Sequence, residues 1–374
     1  MYRITLTKIP LIILIGTILL YFMVARECSI NFLGAIVYAT FYFAVYSGIK
    51  INKIYYKRIN INKTEASSKL ILIIYTLNTV SLFGSILYLN EFVNAFNGFG
   101  DLISAGWLIR EKMANKEVGN NLFINGIAML AYPTLFLSLY LMFIGKGTKF
   151  VYMSIVPLII TSISQAARAG LILVMLMILS TLIAKYTMSK NEEKIFKIGL
   201  QISFILILIF VVGLLYRDNS LGFEYIALSA RDYSLGGFMG FNSWMETYDL
   251  DWPTWGKYTF ASIYLKFVPD GLPIGYYDKY LEICSDGAVI NIFSMYRSLM
   301  EDFSYPGAIF ICFLSGYLIK FSINRIFEGK TYYFPLFLYL MTGLLYSFVA
   351  PITQHTSLLI ALFSSMFLIK YIKN

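Results

Sequence analysis

Charge is scarce in this chain. Aspartate, glutamate, lysine and arginine make up 14% of its 374 residues and hydrophobic residues make up 58%, whereas a soluble domain averages about 25% charged residues. Mean hydropathy is +0.69. A soluble fold of this size cannot bury so much apolar surface, so the composition predicts an integral membrane protein. Its apolar runs are continuous over about 17 residues or more, which favours helices over the alternating strands of a β-barrel.

Cysteine and histidine are also scarce. The three cysteines, Cys28, Cys284 and Cys312, lie far apart, and none has the spacing of metal ligands. Their odd number does not indicate a disulfide framework. His355 is the single histidine. We therefore expect a reaction without metal ion or cofactor.

The motifs of soluble enzymes are missing. The sequence has no glycine-rich phosphate loop, no HExxH, no nucleophile elbow and no paired CxxC. The inner segments are too short for a nucleotide-binding domain, which argues against ATP-driven transport by this chain alone. Any chemistry is expected on the outer face.

Ten apolar runs are present, and we predict an all-α polytopic protein of about ten transmembrane helices. An even number of spans places both termini on the same side of the membrane. The predicted spans are 9–25, 30–49, 70–89, 121–144, 149–165, 170–187, 197–216, 305–321, 332–349 and 354–371.

The basic residues indicate which side is cytoplasmic. With the N-terminus inside, the inner segments hold 19 basic and four acidic residues, and the outer segments hold 11 basic and 17 acidic ones. Basic residues accumulate in cytoplasmic loops, so we predict that both termini are cytoplasmic. The formal charge of +9 therefore reflects topology, and no nucleic-acid partner is expected.

Two outer segments are long, 90–120 and 217–304. The second holds 12 of the 21 acidic residues. We expect residues 1–374 to form a single membrane domain with its chemistry in these segments. They also contain all four tryptophans, Trp107, Trp244, Trp252 and Trp255.

Arg168 stands in a short outer turn, "SQAARAGLI". It faces the outer side against the charge bias, so it is not a topogenic residue. A guanidinium group can bind phosphate oxygens in a bidentate manner, which predicts a functional cation at headgroup depth. The alternative is an interfacial arginine that touches lipid headgroups.

A second group lies in "ALSARDYSLGGFMGFNSWMETY". We interpret Arg231 as a further cation, and Tyr233 and Gly237 as substrate contacts, because glycine allows backbone to approach a ligand closely. The alternative is a flexible loop in which Arg231 and Asp232 form a local ion pair.

A third group lies in "NIFSMYRSLMEDFSYPGAIF". Arg297 and Glu301 are spaced as an ordinary helical ion pair, although Arg297 is also a candidate catalytic cation. Asp302 is expected to act as a general base or as an orienting group.

Three further residues are candidates. His355, near the last span, is either a proton-transfer group or a hydrogen-bonded interfacial residue. Trp252 and Trp255 lie in the middle of the long outer segment, and we expect their rings to stack on sugars. The alternative is the aromatic belt of membrane proteins.

Three of these stretches resemble the Wzy-type O-antigen polymerases, also called oligosaccharide repeat-unit polymerases. "SQAARAGLI" resembles the family's short outer turn, in which glycine closely follows arginine. "YSLGGFMGFNSWME" resembles its tyrosine, small residues and hydrophobic run. "NIFSMYRSLMEDFSYPGAIF" resembles its Asp-Phe-Gly-x-x-Gly start of a span, except that Ser304 replaces the first glycine while Gly307 is kept. The topology is similar over most of the chain.

The resemblance implies a GT-C-like glycosyltransferase of the bacterial inner membrane with its active site facing the periplasm. Its substrates would be oligosaccharides linked to undecaprenyl diphosphate, and a chain-length regulator in the same membrane would be a possible partner. Arg168, Arg231 and Arg297 would contact the diphosphate, and Asp302 or His355 would act on the acceptor hydroxyl.

Two alternatives remain from the sequence. An O-antigen ligase shares the topology and the donor, and differs in its acceptor. A lipid-linked oligosaccharide flippase should carry charged residues along the middle of several spans. The predicted spans of this chain carry almost none, which favours the enzyme.

Overall fold

The structure is a computed structural model, and it describes most of the chain. The description is interrupted at several places, and side chains within residues 223–233 are described only in part. The described residues are 6–25, 28, 30–51, 67–96, 98–104, 108–109, 112–113, 117–119, 121–165, 169–188, 201, 223–249, 252–268, 281–284, 289–290 and 294–372.

Helices make up nearly all of the described residues. Two short strands, β1 and β2, pair antiparallel with Leu281 opposite Ile290. The helices are α1 Ile9–Val24, α2 Phe32–Ile51, α3 Ser68–Ala95, α4 Phe99–Ser104, α5 Leu122–Met129, α6 Ala131–Phe143, α7 Lys149–Ser164, α8 Ala169–Met188, α9 Phe223–Glu246, α10 Ala261–Phe267, α11 Met295–Phe327, α12 Phe334–Tyr346 and α13 Thr356–Ile372; the strands are Leu281–Glu282 and Val289–Ile290.

The apolar runs of the sequence coincide with these helices. Each predicted span has its helix except 197–216, of which the structure describes residue 201 alone. The protein is therefore an α-helical polytopic membrane protein. Six helical stretches in the described residues are long and apolar enough to cross a membrane, namely Leu6–Val24, Phe32–Ile51, Ser68–Ala95, Leu122–Phe143, Ala169–Met188 and Met295–Phe327; Lys149–Ser164 and Thr356–Ile372 are shorter apolar helices.

The chain forms two compact units, each assembled from segments that are distant in sequence. The first unit consists of Met1–Tyr55, Phe223–Asn324 and Leu340–Thr356. The second unit consists of Tyr56–Gly222, Arg325–Tyr339 and Ser357–Asn374.

An aromatic core holds the first unit together. The rings of Phe41 and Tyr296 stack with centroids 4.7 Å apart, within the range of favourable aromatic pairs. Small residues bring α2 and α11 together, because a Cβ at Gly48 or at Gly316 would overlap the backbone of the other helix. The other members of this core are Tyr38, Tyr42, Phe238 and Phe241.

A disulfide also lies in the first unit. It joins Cys28, after α1, to Cys284, after β1, and the two residues are 256 positions apart. This corrects the expectation from the odd number of cysteines, since Cys312 is buried and free. Both bonded cysteines fall in segments that the charge bias assigns to the outer side.

Hydrogen bonds and small residues join the helices of the second unit. Ser138 on α6 and Ser154 on α7 are 2.7 Å apart through their hydroxyl oxygens. Asn121 caps the start of α5, because its side-chain oxygen accepts the N–H groups of Phe123 and Ile124. A Cβ at Gly84 on α3 would lie 2.7 Å from the nitrogen of Ala128, so α3 and α5 are in close contact.

Candidate functional site

A backbone break near the start of α11 shapes the candidate site. Ser304 has φ 58° and ψ 174°, so its backbone is not helical. This conformation is essentially restricted to glycine and costs on the order of 1–3 kcal/mol for other residues. Residues 295–303 therefore form a separate helical segment that carries the predicted site residues Arg297 and Asp302. The glycine that the polymerase pattern has at this position would relieve the strain.

Asp302 holds a neighbouring stretch of backbone in place. The residue is fully buried. Its Oδ1 accepts hydrogen bonds from the Tyr258 N–H at 3.1 Å and the Thr254 hydroxyl at 2.5 Å, and its Oδ2 accepts the Thr259 N–H at 2.5 Å. Both oxygens are thus engaged. Of the two roles predicted for Asp302, this geometry favours the orienting group over the general base.

Two residues that precede α13, Thr353 and Gln354, bind the carbonyl groups of the same stretch of backbone. The Thr353 hydroxyl donates to the Thr259 carbonyl at 2.5 Å, and the Gln354 side-chain amide donates to the Tyr258 carbonyl at 3.0 Å. The peptide groups of Tyr258 and Thr259 are therefore bonded on both sides. We refer to residues 254–259 as the clamped segment.

A cleft opens beside the clamped segment. Its volume is about 230 Å³. Four aromatic side chains, two threonines and two carboxylates form its wall, a combination that suits a polar ligand with apolar faces. The lining residues are Trp244, Thr247, Tyr248, Asp249, Trp252, Thr254, Tyr258 and Glu301.

Arg297 supports this wall. Its Nε lies 2.9 Å from Oε1 of Glu301, which confirms the ion pair expected from the spacing. Its guanidinium carbon lies 5.2 Å from the centre of the Trp244 ring, within the range of a cation–π contact. Arg297 therefore joins two residues that line the cleft, one from α9 and one from α11.

The two predicted sugar-stacking tryptophans differ in position. Trp252 is 90% exposed and lines the cleft, whereas Trp255 is 78% exposed and is not among the lining residues. The Trp255 backbone has a positive φ of 52°, and its N–H donates to the Asp302 carbonyl at 3.0 Å. Trp252 is thus the one that has the placement expected of a sugar contact.

Arg231, Tyr233 and Gly237 lie on α9, so the alternative of a flexible loop is wrong. Thirteen residues of helix separate Arg231 from Trp244, about 20 Å along the axis. Arg231 is nearly buried, and its Nε bonds Oδ1 of Asp232 at 2.8 Å, as the alternative interpretation expected. The side chain of Tyr233 lies outside the described residues.

Gly237 has a packing role within the first unit. A Cβ there would overlap the carbonyl oxygen of Phe348. The backbone that closely approaches this glycine is therefore that of Phe348, not a ligand. A larger residue at this position would separate α9 from the chain after α12.

His355 follows directly after the residues that hold the clamped segment. Its ring centre is 6.0 Å from that of Tyr346. Burial lowers the pKa of His355 from its ordinary value of 6.5 to about 4. A base with so low a pKa is weak at neutral pH, so the geometry supports an uncharged packing role more than proton transfer.

Arg168 lies outside the described residues, and its role stays a prediction. In the chain it stands between α7, which ends at Ser164, and α8, which begins at Ala169. Next to it, the Gln165 side chain donates to the Tyr88 hydroxyl at 2.9 Å.

Several cleft residues were not singled out from the sequence. Trp244 and Tyr248 are four residues apart, and their ring centres are 4.6 Å apart. That spacing at the end of a helix was an available signal, because such residues share a face. No such signal marks Thr254 and Tyr258 in the sequence, because the carboxylate that positions them belongs to Asp302, far along the chain.

The described residues contain no group of three or more histidine, cysteine, aspartate or glutamate side chains that could hold a metal ion. Comparison of the chain with family models, curated proteins and solved structures gives no match. The site and the resemblance of the three stretches are therefore the basis for a functional proposal.

Proposed function

We propose that this protein is a glycosyltransferase that polymerises lipid-linked oligosaccharide repeat units at the periplasmic face of a bacterial inner membrane. The growing glycan is transferred from undecaprenyl diphosphate onto a new lipid-linked repeat unit. The observation that carries this proposal is the cleft, in which aromatic rings, hydroxyls and carboxylates converge at the start of a membrane helix.

The composition of the cleft fits a sugar. The aromatic faces of Trp252 and Tyr258 can pack on the C–H faces of a pyranose ring. Thr254 and Glu301 supply hydrogen-bonding groups for sugar hydroxyls. The clamped segment keeps part of this wall rigid, so little ordering is needed when the sugar binds.

The disulfide supports the proposed orientation. Disulfides form in oxidising compartments such as the bacterial periplasm and are rare in the cytosol. Cys28 and Cys284 are bonded, and both belong to segments that the distribution of basic residues places outside. Two independent features therefore favour the same side for the cleft.

The proposed reaction is a substitution at the anomeric carbon of the donor. A hydroxyl oxygen of the acceptor sugar bonds to that carbon, and the bond from the carbon to the diphosphate oxygen breaks. The diphosphate leaves with the electron pair, while the hydroxyl proton passes to a basic group or to water. Cations stabilise the charge that develops on the leaving group, and Arg168 is the proposed contact.

The test is a gel of lipopolysaccharide from a strain that lacks this protein. A single band of core plus one repeat unit is expected, because ligation and flipping continue without polymerisation. Core without sugar would contradict the polymerase and indicate a ligase or a flippase. Locating the stranded lipid-linked sugar on the outer or the inner leaflet then separates these two.

Arg168→Ala tests the proposed diphosphate contact. We expect the variant to insert normally but to make no polymer, and Arg168→Lys to recover only part of the activity because lysine lacks the bidentate geometry. Arg110→Ala, which changes another outer arginine, is the control. Normal polymer from Arg168→Ala would contradict the contact.

A further inference from the structure

The cleft is acidic as well as aromatic. Of its described lining residues, Asp249 and Glu301 carry carboxylates and none is lysine or arginine. A diphosphate would meet two carboxylates at this wall, so the cleft is unsuited to the charged end of the lipid carrier. It is suited to a part of the glycan that lies away from that end.

Two described cations contact lining residues without lining the cleft themselves. Arg297 is paired with Glu301 and stacked on Trp244. Lys257 also lies beside the wall, with its ammonium 5.4 Å from the centre of the Tyr258 ring. Neither cation is a lining residue, so the charged groups of the lining itself are the carboxylates of Asp249 and Glu301. Asp249 is exposed, and a ligand in the cleft therefore meets a negative wall.

The size of the cleft limits what it holds. At about 230 Å³ it is smaller than the pockets of about 300–1,000 Å³ that enclose drug-sized ligands. One or two sugar rings match this volume, whereas a whole repeat unit does not. The wall therefore recognises an individual sugar residue.

We propose that this cleft is a subsite for an uncharged sugar of the glycan and that it excludes sugars with a carboxylate. The inference rests on the proposed function and names the substrate class of that same site. A sugar carboxylate would be repelled by Asp249 and Glu301 in a partly desolvated cleft, where like charges strongly disfavour binding. A neutral pyranose keeps its contacts with the aromatic rings and meets no repulsion.

The test measures glycan binding by the purified full-length protein. The probes are oligosaccharides in matched pairs, in which each neutral member has a counterpart oxidised at C6 to a uronic acid, for several hexose configurations. Tryptophan fluorescence is the readout, since Trp244 and Trp252 line the cleft. We expect at least one neutral probe to bind about tenfold or more tightly than its oxidised counterpart. Failure of every neutral probe to bind, or preference for the oxidised members, would overturn the inference.

Charge-changing variants identify the cause of the preference. Asp249→Asn together with Glu301→Gln removes both carboxylates from the lining of the cleft. The oxidised probes should then bind as well as the neutral ones or better. Glu246→Gln, an exposed position next to the cleft, is the matched control and should leave the preference unchanged. An unchanged preference in the double variant would overturn the assignment to these carboxylates.

A third variant checks the location. Trp252→Ala should weaken binding of the neutral probe about tenfold, and binding that does not change would place the sugar elsewhere. The gel of the deletion strain separates the two proposals. One repeat unit on the gel with a preference for acidic probes leaves the polymerase standing and removes this inference. A normal polymer ladder removes the polymerase, whatever the probes show.

Discussion

The two long segments that are predicted to be outer, 90–120 and 217–304, differ in how their aromatic residues are placed. In the first, the rings of Phe92 and Phe96 turn inward and pack with Tyr88, Leu102, Ile109 and Val118 in a closed apolar cluster. In the second, Trp252 and Trp255 are exposed, and Trp252 lines a cleft. An aromatic-rich outer segment is therefore no evidence of a binding site until burial is known.

Hydrogen bonds explain how the second segment keeps its rings exposed. In the first segment, Glu91 accepts the Gly119 N–H at 2.7 Å, which closes the segment over its own rings. In the second, the backbone at Tyr258 and Thr259 is held by Asp302, near the end of the segment, and by Gln354, which lies beyond it. The rings are then not needed for local folding and remain available to a ligand.

The largest expected difference is between Phe92→Ala and Trp252→Ala. Phe92 is fully buried, so its truncation should destabilise the protein by about 3–5 kcal/mol. Trp252 is 90% exposed, and its truncation should change stability by less than about 0.5 kcal/mol while it shortens the polymer. Thermal unfolding in detergent and the lipopolysaccharide gel measure the two effects. Equal loss of stability in both variants would contradict the difference in burial between Phe92 and Trp252.

Removal of the Asp302 carboxylate should make the second segment lose its order. Asp302→Ala leaves the N–H groups of Tyr258 and Thr259 without their acceptor, at a cost of about 2–4 kcal/mol. Polymerisation and glycan binding should fall together, because Thr254 and Tyr258 line the cleft. If catalysis is lost while binding of a neutral probe is kept, Asp302 is a base and not an orienting group.

The disulfide should have a smaller effect on stability. Replacing Cys28 and Cys284 by serine should cost about 2 kcal/mol, at the low end of the usual range, because helices that stay in the membrane already restrict the unfolded chain. Alkylation of the wild-type protein should modify no thiol of this pair before reduction and both thiols after it. Two reactive thiols in unreduced protein would contradict the outer placement.

Relief of backbone strain should give a gain of about 1 kcal/mol. Ser304→Gly removes the side chain at a positive φ, and the melting temperature should rise. Ala308→Gly, at a buried position on the helix beyond the break, is the control and should lower it. A decrease for Ser304→Gly would mean that the backbone at this residue is not strained.

His355→Gln should have the smallest effect at neutral pH. Because burial lowers the pKa of His355 to about 4, the unfolded chain takes up a proton below about pH 6.5 before the folded protein does. The stability of the wild type should therefore fall as the pH drops from 6.5 to 4, and the variant should lack this part of the pH dependence. Parallel unfolding curves for the two proteins across this window would contradict a buried neutral histidine.

Periodicity and apolarity predicted the helices well but the site poorly. The apolar runs from Ile9 to Ile372 coincide with helices because each membrane helix satisfies its own backbone hydrogen bonds, which is a local requirement. The Arg297–Glu301 pair was predictable for the same reason. The helix at 223–246 was missed because three glycines and an Arg-Asp pair suggested a loop. Gly237 is tolerated there because its helix contacts the Phe348 backbone, a contact between residues 111 positions apart.

The sequence alone determined that the protein is a helical membrane protein and which segments are rich in aromatic and acidic residues, since these depend on composition and on contacts a few residues apart. Only the tertiary structure decided that Cys28 meets Cys284, that Asp302 bonds the backbone at Tyr258 and Thr259, and that Trp252 faces a cleft while Phe92 is buried. Those outcomes depend on which distant segments come into contact, and the packing of the whole unit decides these contacts.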